Sequence, residues 1–236
     1  TPQKLPIAIC TEDKKAIVGK KISTTAEDPE NATNTGYAGT GDITIADFVD
    51  INGEMYMVSG LDRFAFFNGK ITSITLGRFI GYGMDEDLPG IWDCTFRQCS
   101  ELKNVSVSTE NKVYYSANGV LYKYDETLTD TPTLLMLYPM AKEGASFTIP
   151  NGVTTINQYA FTGQNNLQSV NLNSVVIVGD HAFTNCINLK TATMSSVRTI
   201  EKQAFYNCSS LSSVNLSQVD TIGDQAFYGC AGIEKQ

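Results

Sequence analysis

The sequence predicts an α/β solenoid, a right-handed stack of coils with a parallel β-sheet on its concave face and short helical turns on the opposite side, interrupted by an inserted β-hairpin. Three observations lead to this prediction. An Ala-Phe pair recurs every 22 residues in the C-terminal third of the chain, and weaker copies of the same pattern lie upstream. An Asn-Gly dipeptide also separates two segments that are rich in tyrosine.

The regular repeat keeps its spacing without a gap. The Ala-Phe pairs fall at 160/161, 182/183, 204/205 and 226/227, so each phenylalanine lies 22 residues after the previous one. A cysteine follows three residues after the last three phenylalanines, at Cys186, Cys208 and Cys230. A leucine follows six residues after the first three, at Leu167, Leu189 and Leu211. A fixed period of this length is typical of stacked structural repeats.

Each repeat divides into a strand, a second extended piece and a turn. The pattern Leu211-x-x-Val214-x-Leu216 predicts a short strand with inward apolar side chains, and its copies are expected to pair in parallel. A second extended piece runs through Val219 to Ile222, and the following segment GDQAFYGC predicts one helical turn. Because one coil buries too little apolar surface to fold alone, the coils must stack.

The pattern recurs upstream in weaker form. Phe96 is followed by Cys99 and Leu102 at the regular spacing, and a second copy at Ala65-Phe66 is about one residue short before Ile71. These degenerate copies extend the predicted solenoid toward the N-terminus.

The repeats resemble the BspA-like (treponemal-type) leucine-rich repeats, whose pattern is close to Ile-Gly-x-x-Ala-Phe-x-x-Cys-x-x-Leu-x-x-Val-x-Leu. The copies that begin at 178, 200 and 222 match it nearly residue for residue. Residues 41–66 are similar to the family's opening segment, and residues 114–161 to its interrupting hairpin unit. The resemblance implies a bacterial surface protein from a family that is implicated in adhesion to host matrix proteins or to other cells.

The predicted domain organisation has two parts. Residues 1–40 are expected to form an N-terminal strand, around Ile7–Cys10, and a flexible, turn-rich linker. Residues 41–236 are expected to form the solenoid, with degenerate repeats at 41–112, the hairpin insertion at 113–150 and regular 22-residue repeats at 156–236.

Charge and composition exclude several classes of partner. The formal net charge is −8, which disfavours nucleic acids and anionic membranes because both require clustered Lys and Arg. No apolar run approaches the roughly 18 residues of a membrane-spanning helix. The chain begins with Thr1, and we expect an extracellular or cell-surface protein from which a leader segment has been removed.

Side chains suited to catalysis are few. His181 is the only histidine, and it occupies the repeat position that Gln203 and Gln225 fill, which indicates an exposed turn site and not a catalytic base. One histidine cannot build a zinc cluster or a nucleophile-histidine pair, and no phosphate-binding loop is present. The carboxylates at 85–87 lack the spacing of a calcium loop and are predicted to form a solvated acidic turn. We therefore predict no enzymatic activity, no metal and no cofactor.

The cysteines of the regular repeats share one phase and are expected to stack. Parallel strands lie about 4.8 Å apart, which holds Cβ atoms too far apart for an easy disulfide. Gln164 fills the same position one coil earlier. We therefore predict that Cys186, Cys208 and Cys230 are small buried residues, with disulfides as the alternative. Cys10 and Cys94 fall outside this column and receive no assignment.

The hairpin unit carries a group of five tyrosines, at positions 114, 115, 122, 124 and 138. Aromatic faces stack on sugars and peptides, so the group is a candidate ligand platform. The alternative, which we favour, is that the rings pack the hairpin onto the neighbouring coils.

The candidate binding site is the outward face of the predicted strands. Its side chains are small, polar and nearly uncharged: Gln168, Ser169, Asn171, Lys190, Thr191, Thr193, Ser212, Ser213 and Asn215. Such a surface can exchange many hydrogen bonds, but it lacks the aromatic and arginine anchors of tight interfaces.

The predicted function is a non-enzymatic, cell-surface or secreted module that binds an extracellular protein or glycan. A passive scaffold that displays or spaces another domain is the alternative. The uncapped last repeat is also a candidate for end-to-end self-association.

Overall fold

The computed structural model describes residues 7–10, 14–19, 40–83, 90–124 and 132–233, which form 18 β-strands and contain no α-helix. The expected linker within 20–39 and the acidic turn at 85–87 lie outside the described residues. The strands fall into four sheets.

The N-terminal part contains two sheets. The first has the order β1-β2-β5-β4, and the second, which is parallel throughout, has the order β3-β6-β7. The strands are β1 (Ile7–Cys10), β2 (Lys15–Val18), β3 (Thr40–Thr44), β4 (Phe48–Ile51), β5 (Glu54–Leu61), β6 (Lys70–Leu76) and β7 (Asn104–Val107). Strand β1 lies where the sequence predicts a strand, and β2 was not predicted. Because β2 pairs in parallel with β5, residues 15–18 belong to the same sheet as the first coils.

The insertion is a three-stranded antiparallel unit of β8 (Tyr114–Ala117), β9 (Val120–Tyr124) and β10 (Pro132–Leu137). Asn118 and Gly119 both adopt positive φ, 50° and 77°, which fits the tight two-residue turn that the sequence predicts. Strand β10 then pairs in parallel with the first short strand of the regular repeats. The hairpin is thereby built into the solenoid sheet.

The regular repeats form two parallel ladders, of which the sequence predicted the first. One is a four-stranded sheet of β11 (Ser146–Thr148), β13 (Ser169–Asn171), β15 (Thr191–Thr193) and β17 (Ser213–Val214). The other continues from β10 through β12 (Thr155–Ile156), β14 (Ile177–Val178), β16 (Thr199–Ile200) and β18 (Thr221–Ile222). Each coil contributes one strand to each ladder, and partners in the ladder between β13 and β15 are 22 residues apart.

The prediction of short helical turns opposite the strands is wrong. The Ala-Phe segments are successive turns closed by i to i+3 hydrogen bonds, for example from Cys208 N–H to the Phe205 carbonyl. Left-handed residues flank every Ala-Phe pair of the regular repeats, such as Gln203 (φ 53°) before it and Asn207 (φ 58°) after it. A left-handed residue every fourth position stops an α-helix from propagating.

The left-handed conformation lets the turns of adjacent coils bond to one another. Alternate N–H groups in each turn donate to carbonyls of the next coil, as from Phe183 to Ala204 (2.7 Å) and from Phe205 to Ala226 (2.8 Å). The peptide unit that accepts one bond donates the next, so the hydrogen bonds run in unbroken columns along the stack. These bonds offset the cost of about 1–2 kcal/mol for each non-glycine residue in the left-handed region.

The core consists of matched side-chain columns. The rings of Phe161, Phe183, Phe205 and Phe227 stack with successive centroid distances of 4.5, 4.9 and 5.3 Å. Tyr138 extends the column toward the hairpin, at 4.8 Å from Phe161. A second core under the N-terminal sheets contains the stacked pair Phe66 and Phe96, at 5.5 Å.

The repeat cysteines are free and buried, as predicted. Each thiol also donates to the carbonyl of the phenylalanine 25 residues earlier, at 3.0 Å for Cys186 and 3.1 Å for Cys208 and Cys230. Gln164 makes the equivalent bond to Pro139 through its amide nitrogen, at 3.2 Å. The residues at the cysteine position therefore share a buried hydrogen-bond donor, a role that glutamine can also fill.

Candidate binding surfaces

The polar strand face, which we define as the nine candidate residues of the sequence analysis, is open to solvent. Eight of its side chains are exposed and Ser169 is half-buried. In the parallel register Ser169, Thr191 and Ser213 form one column, and Asn171 lies beside Thr193. The structure thus brings the nine residues onto one continuous surface.

The surface is longer than the sequence analysis proposed. Strand β11 adds Ser146 beside Ser169 and Thr148 beside Asn171, and both are exposed. They were missed because the coil that contains them lacks the Ala-Phe and cysteine signals. The row of small hydroxyl and amide side chains therefore spans four strands.

Some members of the face also have structural bonds. The Oδ1 atoms of Asn171 and Asn215 accept the N–H groups of Asn173 and Ser217, both at 3.0 Å, which closes the bend after each strand. The ammonium group of Lys190 donates to Gln168 Oε1 at 3.1 Å. The threonine hydroxyls of β15 make no hydrogen bond within the described part of the chain, so Thr191 and Thr193 are the members best placed to contact a ligand.

The tip of the hairpin separates this face from the N-terminal ladder. A Cβ atom on Gly119 would lie 2.4 Å from Asn104 Oδ1, so any larger residue would have to displace the Asn104 side chain. The Lys142 ammonium donates to the Asn118 carbonyl, and burial lowers the pKa of Lys142. Beyond the tip, the carboxylate of Asp42 accepts the hydroxyls of Thr72 (2.8 Å) and Ser73 (2.6 Å), which lowers its pKa.

A second surface, which we call the hairpin groove, lies between the turn at 91–97 and the turn at 157–159. It encloses about 460 Å³, and strands β9 and β10 contribute Lys123, Leu134 and Met136. Arg63 and Arg97 line it, together with Trp92 and Tyr159. Sequence reasoning missed this groove because its residues come from separate segments that only the insertion brings together.

A family model described as "BspA type Leucine rich repeat region" matches residues 141–236, with six copies. Residues 141–236 are BspA-type leucine-rich repeats. The resemblance to BspA-like leucine-rich repeats that the repeat pattern indicated is thereby confirmed for this region.

Solved structures support the same fold for the whole chain. A leucine rich cell surface protein from Faecalibacterium prausnitzii is similar at 18% identity with a TM-score of 0.54, covering 99% of this chain and 86% of that one. A leucine rich repeat protein from T. pallidum is similar at 17% identity with a TM-score of 0.51, covering 98% and 88%. No curated protein matches the chain. Identities this low establish the solenoid fold and nothing about a ligand.

The tyrosines next to the leucine-rich repeats mostly serve packing. Tyr114, Tyr122 and Tyr138 are at most 2% exposed, and burial raises the pKa of all three hydroxyls. Tyr115 is exposed and Tyr124 half-buried, with ring centroids 5.9 Å apart. Three of the five rings are therefore inaccessible to a ligand, in agreement with the packing alternative.

His181 is more enclosed than expected. Its side chain is 20% exposed, its Nδ1 atom lies 2.7 Å from Asp180 Oδ1, and its ring packs 4.9 Å from that of Tyr159. The prediction of an exposed turn site is therefore wrong, because the leucine-rich repeat turn places residue 181 against the aromatic residue one coil earlier.

The described residues contain no group of three or more His, Cys, Asp or Glu side chains that could hold a metal ion. No helix among them has the length and apolar character needed to cross a bilayer. The leucine-rich repeat fold is in general a protein-interaction module, and the two surfaces described above are its candidate contact sites.

Proposed function

We propose that this protein is a non-enzymatic binding module that recognises an extracellular protein or glycan through the polar strand face, on the concave side of the solenoid. The observation that carries the proposal is the exposed, in-register row of hydroxyl and amide side chains across four parallel strands. Many weak donors and acceptors at a regular spacing suit a hydroxyl-rich or repetitive ligand.

A matched pair of variants tests the strand face. We expect Thr191→Ala/Thr193→Ala to lower the affinity for a ligand found by glycan-array or matrix-protein screening by about tenfold, because two hydrogen bonds are lost. The control is Lys202→Ala/Gln218→Ala, which changes two exposed residues outside the face. Equal affinities for the two variants would contradict the proposal.

We also propose a cell-surface or secreted location in a bacterium. The relative from F. prausnitzii is described as a cell surface protein, and BspA-type repeats match the C-terminal region. Surface biotinylation of the bacterial cells that produce the protein, followed by analysis of the labelled fraction and the medium, tests the location. Retention of all the protein in the unlabelled cell interior would refute it.

The second candidate function is a passive scaffold. The absence of aromatic and arginine side chains from the nine residues of the strand face favours this alternative, since such anchors dominate tight interfaces. A scaffold predicts that broad glycan and matrix-protein screens return no ligand for the strand face, whereas the binding module predicts at least one that the threonine variant weakens.

The last coil supports a proposal of end-to-end self-association. Ile222 is 49% exposed, whereas its equivalent Ile200 one coil earlier is fully buried, and Phe227 is only half-buried. A second copy that continues the stack would cover this apolar surface. Light scattering across a concentration series tests the idea. We expect association that Ile222→Asp abolishes, and a wild-type monomer at every concentration would refute it.

A further inference from the structure

The hairpin groove exists because the insertion interrupts the stack of turns. On either side of it, the turns at 91–97 and 157–159 have the full repeat form. Between them the coil is reduced to a short segment, in which Tyr138 keeps its place in the aromatic column and Ala141 N–H bonds to the Leu102 carbonyl. The missing turn leaves a gap that the side chains of β9 and β10 line.

Two arginine side chains line this gap, and each is positioned by stacking on an aromatic ring. The guanidinium carbon of Arg63 lies 4.3 Å from the centroid of the Trp92 ring, and that of Arg97 lies 4.3 Å from Tyr159. Neither guanidinium forms an ion pair within the described residues. Stacking uses the flat face of a guanidinium and leaves its N–H edge available, in the geometry that matches a carboxylate.

Backbone donors end at the same place. In the coil before the gap, Phe66 and Asn68 donate their N–H groups to the carbonyls of Thr95 and Arg97 in the next coil. The corresponding N–H groups of Phe96 and Gln98 find no acceptor among the described residues, because the next turn is missing. Both residues line a smaller cavity that shares Arg97 and Tyr159 with the groove.

The charge of the groove is opposite to that of the protein. Its lining contains Arg63, Arg97 and Lys123 against a single carboxylate, Asp93, on a chain of formal net charge −8. Burial, with a smaller contribution from Asp93, raises the pKa of the Cys94 thiol to about 12. This thiol stays protonated at neutral pH, so it is not an activated nucleophile. The excess of cationic side chains instead gives the groove the character of an anion-binding site.

The remaining lining selects between kinds of anionic ligand. The side-chain amides of Asn157 and Gln158 make no hydrogen bond within the described part of the chain, and they can pair with sugar hydroxyls. Strand β10 is bonded on both sides, to β9 and β12, so an extended peptide cannot add to it as another strand. A volume of about 460 Å³ also falls in the range of small-ligand sites.

We propose that the hairpin groove binds a carboxylated sugar, such as a uronic acid unit of an acidic polysaccharide. The carboxylate lies against the N–H edges of Arg63 and Arg97, and the hydroxyls pair with Asn157 and Gln158. This inference goes beyond the role proposed for the polar strand face, because none of these residues belongs to that face.

Isothermal titration with tetragalacturonate tests the inference, with the methyl-esterified form of the same oligosaccharide as the uncharged control probe. We expect the wild-type chain to bind the acid at least tenfold more tightly than the ester. Replacing either arginine by Gln should weaken binding of the acid about tenfold, because a charge-assisted hydrogen bond is lost. Arg198→Gln, a change to an exposed arginine of the regular repeats, is the matched control and should bind as wild type.

A conservative variant guards against loss of folding. Asn157→Asp keeps the shape of the side chain and adds a negative charge to the lining, so it should weaken binding of the acid more than binding of the ester, which loses only the amide donor. Equal binding of acid and ester, or unchanged binding in both arginine variants, would overturn the proposal, as would the absence of binding. Tighter binding of a polyglutamate peptide than of the oligosaccharide would overturn the assignment to a sugar. Thr191→Ala/Thr193→Ala should leave this binding unchanged, which separates the groove from the strand face.

Discussion

The aromatic column makes a quantitative prediction about stability. Phe205 is fully buried and its ring lies between those of Phe183 and Phe227, with each pair of planes within 2° of parallel. Phe205→Ala removes a buried aromatic side chain, which typically costs about 3–5 kcal/mol, and it breaks two ring contacts at once. We therefore expect a cost near the upper end, about 4–5 kcal/mol.

The matched control is Phe227→Ala in the last coil. Phe227 occupies the same repeat position, but it is half-buried and has a ring neighbour on one side only. Its removal should cost about half as much or less, roughly 1–2 kcal/mol, because less apolar surface is lost from the core.

Urea denaturation followed by far-ultraviolet circular dichroism measures both changes. Trp92, the only tryptophan, gives a second signal from the N-terminal coils. In a solenoid each coil contacts only its neighbours, so the Phe205 variant should separate the two signals, with the C-terminal coils unfolding first. Equal costs for the two variants, or a Phe205 cost below about 1 kcal/mol, would refute the idea that the column holds the coils together.

Three further predictions concern the turns and the thiols. Asn207 has positive φ, and its repeat equivalent is Gly229. Asn207→Gly should therefore change the melting temperature little, whereas Asn207→Ala should lower the free energy of unfolding by about 1–2 kcal/mol. Equal melting temperatures for the two variants would contradict the argument from backbone strain. Burial raises the pKa of Cys99 from 9.0 to about 12. The protonated thiol therefore contributes fully to the free energy of unfolding below pH 9, and about 4 kcal/mol of that contribution is lost as pH rises toward 12. Cys99→Ser should flatten that part of the stability-pH curve, and superimposable curves for the two proteins would count against this reasoning. The Gln164 side chain donates to the carbonyls of Pro139 and Lys142 and accepts the N–H groups of Asn166 and Leu167. Gln164→Cys keeps a donor for Pro139 only and should destabilise the chain by about 1–3 kcal/mol in thermal melts, although later coils carry cysteine there; an unchanged melt would show that the other three bonds contribute nothing.

The sequence was most informative where one residue position recurs. The 22-residue phase predicted the parallel pairing of the Leu-x-x-Val-x-Leu strands and the free, buried cysteines. It could do so because each of these side chains has the same kind of residue above and below it in the stack. The same periodicity identified the outward strand residues, whose placement on one exposed surface follows from the alternation of side chains in a strand.

The turn conformation could not be predicted from the same pattern. Left-handed residues are usually glycine or asparagine, but Tyr159 and Gln203 adopt φ of 59° and 53°. These residue types give no local signal, and the conformation is imposed by hydrogen bonds to the next coil. Short polar segments with an Ala-Phe pair resemble a helical turn when those intercoil bonds are unknown.

The groove was beyond sequence reasoning for another reason. Arg97 and Tyr159 are in contact across the hairpin insertion, outside the repeat phase that relates other partners. Only the path of the inserted strands shows that a turn is missing between them. An insertion between repeats is a useful signal in itself, since it interrupts both the packing and the backbone bonding of the coils beside it.

The columns of peptide groups on the turn side give the solenoid a direction. Their N–H groups all point toward the last coil, where those of Gln225, Phe227 and Gly229 meet no acceptor among the described residues. Aligned peptide dipoles add, as they do in an α-helix, and leave partial positive charge at that end. Two such ends facing each other would oppose donor to donor. Copies of the solenoid that associate through these groups must therefore meet head to tail, and such contacts generate rings or open filaments and not a closed, two-fold symmetric dimer.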